Sequence, residues 1–184
     1  MNLPNKLTLM RVCLIPFFVV FARMGGFGMQ LVAVAIYVLA CVTDALDGHI
    51  ARSRNLITNF GKFMDPIADK LLVMSAMIVL TAQGRMPDWV CIVMLAREFL
   101  VSGFRLVAVE SGVVIAAGPL GKIKTVLQML STLALMLLVP VEGAAILGQG
   151  GVLLANILMY LALAMTVVSG ADYIVRNRAC IREM

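Results

Sequence analysis

Long apolar stretches alternate with short polar segments along most of the chain. Stretches of this kind are typical of membrane-spanning helices, since a helix needs about 20 residues to cross roughly 30 Å of hydrocarbon. Each stretch can be extended to about that length at its edges. The pattern predicts spanning helices built on residues 12–22, 24–43, 71–84, 89–96 with a continuation past Arg97 and Glu98, 125–141 and 143–171.

These six predicted helices would use about 120 residues, which leaves enough chain for short connections but not for a separate soluble domain. We therefore expect an all-α, polytopic membrane protein of six transmembrane helices in which residues 1–184 form a single domain. Residues 2–6 are predicted to be a short interfacial segment. Gly25, Gly26 and residues 83–88 indicate outer turns, and residues 48–62 and 110–124 indicate longer, more polar inner connections.

The composition also indicates an integral membrane protein. Hydrophobic residues make up 62% of the chain, and the mean hydropathy is +1.01, whereas soluble domains contain about 45–50% apolar residues. The net charge of +5 is interpreted first as a topology signal, and no nucleic-acid partner is expected. Contact with anionic membrane lipids accounts for part of this charge.

The distribution of Lys and Arg predicts the orientation. An even number of spans places both termini on one side, and only Arg23 and Arg85 fall in the loops of the other side. Because basic residues concentrate in cytoplasmic loops, both termini and residues 44–69 are predicted to face the cytoplasm. The basic residues on that side are Lys6, Arg52, Arg54, Lys62, Lys122, Lys124, Arg176, Arg178 and Arg182.

Four aspartates lie at the ends of two apolar stretches, where an unpaired charge is costly. Asp44 and Asp47 are three residues apart, and Asp65 and Asp69 are four apart, so each pair shares one face of a helix. Four carboxylates in two facing stripes can surround two cations. Oxygen-only ligands favour Mg²⁺ or Mn²⁺.

Small residues and one cation accompany these aspartates. Gly48, Ala51 and Gly61 continue the two stripes and leave room for a bulky polar ligand, and Arg52 adds a positive charge. This mixture suits phosphoryl chemistry, in which metal ions screen a pyrophosphate and a carboxylate accepts the proton of an attacking hydroxyl.

Two alternatives are open at this point. The aspartates could form structural salt bridges with Arg52, Lys62 and Lys70, or they could serve as a cation or proton relay in a transporter. The arrangement in two stripes argues against the first alternative. The accompanying small residues argue against the second.

The pattern D-x-x-D-G-x-x-A-R-x(8)-G-x-x-x-D-x-x-x-D is complete from Asp44 to Asp69, and it resembles the signature of the CDP-alcohol phosphotransferases. The resemblance implies a six-helix, usually dimeric membrane enzyme that transfers a phosphatidyl or related group from a CDP-linked donor to an alcohol. It implies two divalent ions held by Asp44, Asp47 and Asp65, with Asp69 completing the site and serving as candidate base, and a cytidine diphosphate site formed by Gly48, Ala51, Arg52 and Gly61.

Further segments resemble a bacterial inner-membrane branch of this family, for which the donor is CDP-diacylglycerol and the acceptor glycerol 3-phosphate. On this resemblance Asn5 and Thr8 join the donor site, the acceptor hydroxyl attacks the phosphorus bonded to diacylglycerol, and CMP leaves. Inositol phosphate or serine is the nearest rival acceptor. The segments are N-K-L-T at 5–8 with Arg11, F-M-D-P-I-A-D-K at 63–70, A-R-E-F at 96–99, and G-K-I-K-T at 121–125 with Gln128.

The phosphate of this acceptor needs a cationic pocket of its own. Arg97 and Arg105 are eight residues apart, so they share one face of the fourth helix. Together with Lys122 they are predicted to bind the acceptor phosphate, and Lys124 and Arg54 are further candidates. The alternatives are that Arg97 pairs with Glu98 or an aspartate, and that the lysines are topology anchors.

Overall fold

The computed structural model describes the backbone of residues 3–53, 59–110, 118–139 and 147–177, and the side chains of residues 8–43, 67–68, 70–108, 118–139 and 147–177. These residues form six helices and no strand, which confirms the all-α prediction for the described part of the chain. The helices are α1 (Leu3–Arg23), α2 (Phe27–Ser53), α3 (Asn59–Ala82), α4 (Asp88–Glu110), α5 (Pro119–Leu138) and α6 (Gly148–Arg176).

Several helices extend beyond the apolar stretches from which they were predicted. α2 continues to Ser53, α3 begins at Asn59 and α5 begins at Pro119, so the predicted extents of the two inner connections are wrong. The predicted start of the second connection, at residue 110, agrees with the end of α4 to within one residue. Residues 3–6, predicted to precede the first helix, belong to α1. The reason is that polarity marks where side chains leave an apolar environment, whereas backbone hydrogen bonding continues until a cap or breaker ends it.

Turns are present at both of these predicted positions, Gly25 to Gly26 and residues 83–88. Gly25 and Gly26, between α1 and α2, have φ values of 72° and 77°, which glycine adopts at low cost. After α3, the amide of Arg85 donates to the carbonyl of Leu80 and the amide of Gly84 to that of Thr81. With Gly84 at φ 70°, these two bonds form a Schellman motif that ends the helix.

Helices α1, α2 and α3 belong to one compact unit. The side-chain amide of Gln83 donates to the carbonyl of Ala22 at 2.6 Å, so the C-terminal ends of α1 and α3 lie together. α2 runs back along α1, with the rings of Phe18 and Tyr37 6.0 Å apart. The opposite end of this unit therefore carries the first turns of α1 and α3 and the last turns of α2.

Helices α4, α5 and α6 belong to a second unit. A Cβ added at Gly151 would lie 3.6 Å from Cβ of Leu138, so the start of α6 packs against the end of α5 and the two helices are antiparallel. The buried stripe of α6 contains mostly small residues, which allow close helix approach. It consists of Gly151, Ala155, Met159, Ala162, Thr166, Ser169, Gly170 and Tyr173.

Within the described residues, α5 and α6 are long and apolar enough to cross a membrane. Shorter apolar segments occupy Phe27–Thr43 and Lys70–Ala82. The face of α6 opposite its buried stripe is also apolar, with Leu153, Ile157 and Leu161 exposed. A helix that is apolar all round is typical of a membrane span.

Candidate active site

The predicted metal ligands lie on two helices. Asp44 and Asp47 are in the C-terminal part of α2, and Asp65 and Asp69 are in the N-terminal part of α3. The helical backbone on which the two predicted stripes depend is therefore confirmed. The side chains of all four aspartates lie outside those that the structure describes.

The remaining predicted donor residues occupy the same helices or α1. Gly48, Ala51 and Arg52 are in α2, Gly61 is in α3, and Asn5 and Thr8 are in α1. Only for Thr8 is the side chain described, and it is 1% exposed. Arg54 lies outside the described residues.

Helix topology brings these positions to one end of their unit. The first turns of α1 and α3 and the last turns of α2 meet there, since the C-terminal ends of α1 and α3 are joined at the other end. Arg11 is also in the first half of α1 and is 1% exposed. A buried arginine near this end is unusual, because charged side chains are buried only where they have a partner or a function.

No group of three or more His, Cys, Asp or Glu side chains that could hold a metal ion occurs among the described side chains. Because the four aspartates are outside that set, the predicted metal site stays a prediction. Its donor chemistry is consistent with the backbone, since carboxylates three or four residues apart on a helix project from one face.

A second polar cluster lies in the unit of α4, α5 and α6. Lys124, at the start of α5, forms an ion pair with Oε1 of Glu98 on α4 and is only 2% exposed. Nη1 of Arg97 lies 3.4 Å from the same oxygen. The pairing of Arg97 with Glu98, left open by the sequence, is therefore present, and Lys124 is a buried partner in that cluster.

Arg97 and Arg105 both contact α6. Nη2 of Arg97 donates to Oγ of Ser169 at 2.9 Å. Nε of Arg105 lies 3.4 Å from the Tyr173 hydroxyl, and its guanidinium carbon is 5.4 Å from the centre of the Tyr173 ring. The two contacts follow the same order along both helices, so α4 and α6 are parallel, and the polar cluster lies at one end of this unit.

Lys122, the other predicted acceptor residue, is exposed. It lies two residues before the buried Lys124, on a different face of α5, because successive helical positions are rotated by about 100°. The structure thus brings Arg97, Arg105 and Lys124 into the polar cluster of this unit and leaves Lys122 at the surface.

Comparison with known proteins establishes the family. Residues 1–168 match the family model described as CDP-alcohol phosphatidyltransferase. The chain belongs to the CDP-alcohol phosphatidyltransferase family. The matched region contains the whole signature from Asp44 to Asp69 as well as Arg97, Arg105 and Lys124.

Members of this family from several bacteria resemble the chain along nearly its whole length. It is 41% identical to the CDP-diacylglycerol--glycerol-3-phosphate 3-phosphatidyltransferase of Bacillus subtilis, over 96% of this chain and 95% of that protein. It is 38% identical to the protein of the same name from Rickettsia typhi, over 94% of each chain. It is also 38% identical to a probable phosphatidylglycerophosphate synthase of Mycobacterium tuberculosis, over 95% of this chain and 81% of that protein.

Sequence reasoning did not single out the α6 residues that contact the arginines. These are Ser169, Gly170 and Tyr173, and they lie just beyond residues 1–168, which the family model matches. The available signal was a serine and a tyrosine four residues apart in a largely apolar helix. Polar side chains at that spacing share one face, and within a span they usually face other helices.

Proposed function

We propose that this protein transfers the phosphatidyl group of CDP-diacylglycerol to glycerol 3-phosphate, producing phosphatidylglycerol phosphate and CMP. Two findings support this reaction. The chain belongs to the family, and the relatives that resemble it along almost its whole length are named for this transfer. The structural observation that carries the acceptor assignment is the polar cluster formed by Arg97, Glu98, Lys124 and Arg105.

The charge of this cluster fits the acceptor. Among the described side chains, its three cations are accompanied by one carboxylate, that of Glu98. Arg97 and Arg105 are close enough to repel each other electrostatically. A phosphate dianion would relieve that repulsion, and the guanidinium group has the planar fork that binds phosphate oxygens in pairs.

The four aspartates are proposed to hold two Mg²⁺ or Mn²⁺ ions. Their carboxylates are the hard oxygen ligands that these ions prefer, and their helical spacing places each pair on one face. When bound, the ions would neutralise the pyrophosphate of the donor and stabilise charge on the leaving CMP. Asp44, Asp47 and Asp65 are assigned as ligands, and Asp69 as ligand and candidate base.

The other residues of the signature are proposed to bind the donor. Gly48, Ala51 and Gly61 carry little or no side chain, so the cytidine diphosphate can approach the helix backbone. Arg52 offers a positive charge to its phosphates. Asn5 and Thr8 are added because α1 starts at the same end of the unit as the signature. Asp69 accepts the proton of the attacking glycerol 3-phosphate hydroxyl as the new phosphodiester bond forms.

We further propose six spans, with both termini and the site on the cytoplasmic side of the bacterial inner membrane, and a homodimer as the assembly. Each unit carries its charged site residues at one end, as expected of an enzyme that meets water-soluble substrates at the membrane surface. Cysteine labelling from either side of sealed inverted vesicles would test the orientation. Labelling of residues next to Arg23 from the cytoplasmic side would contradict it.

An acceptor assay tests the reaction. Purified protein receives CDP-diacylglycerol and Mg²⁺ with glycerol 3-phosphate, inositol phosphate or serine, and CMP release is measured. Release is expected with glycerol 3-phosphate and to stop when a chelator is in excess. Equal release with all three acceptors would reject the assigned substrate, and full release with the chelator would reject the metal assignment.

A further inference from the structure

The buried face of α6 contacts Arg97 and Arg105, the two arginines of the polar cluster. Ser169 is 3% exposed and Tyr173 8%, and Gly170 is buried beside them. Tyr173 is four residues after Ser169 and three after Gly170, so it neighbours both of them on the helix surface. None of these three residues belongs to the signature or to the predicted acceptor set.

Ser169 offers an oriented acceptor oxygen to Arg97. Its hydroxyl donates to the carbonyl of Thr166 at 3.3 Å, and its oxygen accepts the Nη2 hydrogen bond of Arg97 at 2.9 Å. Because the hydroxyl proton is already engaged with the backbone, a lone pair is directed towards the guanidinium group. This hydrogen bond fixes one edge of the Arg97 guanidinium group.

Gly170 provides the surface along which the Arg97 side chain lies. A Cβ added at this glycine would be 3.1 Å from Cγ and 3.4 Å from Nε of Arg97. The first distance is shorter than an ordinary van der Waals contact and the second is at its lower limit, so an added methyl group would shift the Arg97 side chain by a few tenths of an ångström. Glycine at this position therefore allows the close approach of the Arg97 side chain.

Tyr173 holds Arg105 through its ring and its hydroxyl. The guanidinium carbon lies 5.4 Å from the ring centre, which is within the range of a cation–π interaction. The ring is itself fixed by an edge-on contact with Phe104, with centroids 5.7 Å apart. Tyr173 thus presents a rigid platform to Arg105.

These contacts draw the two arginine heads together. Eight residues separate Arg97 from Arg105 along α4, a rise of about 12 Å, whereas the four residues from Ser169 to Tyr173 rise about 6 Å. Each guanidinium group contacts its own α6 residue. The two guanidinium groups are therefore expected to lie closer together than the backbones of Arg97 and Arg105, which are two turns apart. Like charges held together are suited to binding an anion between them.

We infer that Ser169, Gly170 and Tyr173 are positioning residues that set the affinity of the site for the acceptor phosphate by holding Arg97 and Arg105 in convergent positions. The inference rests on the proposed function in assigning the acceptor phosphate to these arginines. It adds a third helix to the acceptor site and assigns the residues that shape it.

The test uses the full-length purified protein with Ser169→Ala, Gly170→Ala or Tyr173→Leu. The matched control is Gly150→Ala, since Gly150 lies in the first turn of the same helix with nothing within 4 Å of an added Cβ. Tyr173→Phe is the conservative variant, because it keeps the ring. KM for each substrate and kcat are measured, and calorimetry records the binding of glycerol 3-phosphate and of inorganic phosphate.

The three variants are expected to raise KM for glycerol 3-phosphate roughly three- to tenfold, the effect of about one hydrogen bond. KM for CDP-diacylglycerol should not change, and phosphate binding should weaken in parallel. Tyr173→Phe, which loses only the hydroxyl contact with Arg105, should have an effect smaller than that of Tyr173→Leu, and Gly150→Ala should lie within about twofold of the wild type. Unchanged acceptor KM and phosphate affinity in Ser169→Ala and Gly170→Ala would overturn the inference, as would an equal loss in the constants of both substrates.

The calorimetric measurements separate this inference from the proposed function. A wild-type protein that releases no CMP with glycerol 3-phosphate contradicts the proposed function. Phosphate binding that weakens in Ser169→Ala and Gly170→Ala still supports the positioning of the arginines in that case. An active wild type whose variants bind phosphate normally overturns the inference alone.

Discussion

Among the described side chains, Glu98 is the one carboxylate in the polar cluster, and it contacts two cations. Lys124 is 2% exposed and pairs with it directly, while Arg97 also hydrogen-bonds Ser169. A buried ammonium group is strongly destabilising without its partner. Glu98 is therefore assigned to keeping Lys124 in the protein interior, and Arg97 retains a second partner.

A double-mutant cycle on this pair tests that assignment. Glu98→Gln removes the described ion pair of Lys124 and should lower the free energy of unfolding in detergent by about 2–4 kcal/mol. The double variant Glu98→Gln/Lys124→Met should be more stable, by about 1–3 kcal/mol, than the sum of the two single losses predicts. The matched control is the exposed pair of Arg176 and Asp172, for which Arg176→Gln should change stability by less than about 0.5 kcal/mol. Additive single effects would contradict the pairing.

Arg85 gives the opposite case, a buried cation that costs stability. It is 6% exposed, and its Nε and Nη1 have no hydrogen-bond partner among the described residues. Desolvation by burial lowers the pKa of Arg85 from its ordinary value to about 10. The folded protein therefore holds this proton less tightly than the unfolded chain does.

Arg85→Met should raise the free energy of unfolding by about 1–3 kcal/mol, because it removes two buried donors at similar volume. The penalty is fully present below pH 10, where the guanidinium is charged in both states, and it declines only as the pH rises above about 10. Denaturation in detergent at pH 7 and pH 9 should therefore give the same difference. A variant less stable than the wild type would show that Arg85 has a stabilising partner.

At the scale of the helices, the turn after α3 depends on one residue conformation. Gly84 has φ 70°, and the two Schellman hydrogen bonds, donated by the amides of Gly84 and Arg85, close the last turn of α3. The same turn places Gln83 against Ala22 of α1. The cap therefore also fixes the contact between the ends of α1 and α3.

Gly84→Ala should lower the free energy of unfolding by about 1–2 kcal/mol, since a side chain with a Cβ is strained at positive φ. Gly28→Ala is the matched control. Gly28 lies in the first turn of α2, with no positive φ and nothing within 4 Å of an added Cβ. That variant should be neutral or slightly stabilising. Equal losses in the two proteins would show that the conformation of Gly84 is not the cause.

The helices could be predicted from the sequence because apolar runs are local signals. The end of α2 at Ser53 and the start of α5 at Pro119 could not, since polar residues continue a helix as readily as they follow one. Arg97 and Arg105 were found from their spacing on one helix. Their partners Ser169 and Tyr173 are 72 and 68 residues away in sequence, and only packing of α4 on α6 shows that they meet.

At the scale of the whole molecule, the two sets of site residues are carried by different units. The signature lies on α2 and α3, and the polar cluster lies on α4, α5 and α6. The same family match covers most of both. Changes in either set should therefore affect different kinetic constants.

Asp65→Asn and Arg105→Ala test this division. Asp65→Asn removes a proposed metal ligand and should lower kcat at least about 100-fold, with added Mg²⁺ restoring little activity. Arg105→Ala should raise KM for glycerol 3-phosphate about 10- to 100-fold, the value of a charge-assisted hydrogen bond. Steady-state kinetics with each substrate varied in turn distinguishes the two. An increase confined to KM for CDP-diacylglycerol in Arg105→Ala would contradict the assignment.

Neither Ser169 nor Tyr173 carries a charge opposite to that of the arginine it contacts. A hydroxyl and a ring orient a guanidinium group without cancelling its field, whereas a carboxylate would do both. Inorganic phosphate and sulfate should therefore compete with the acceptor. The apparent strength of acceptor binding would then vary with the anion content of the buffer or cytoplasm.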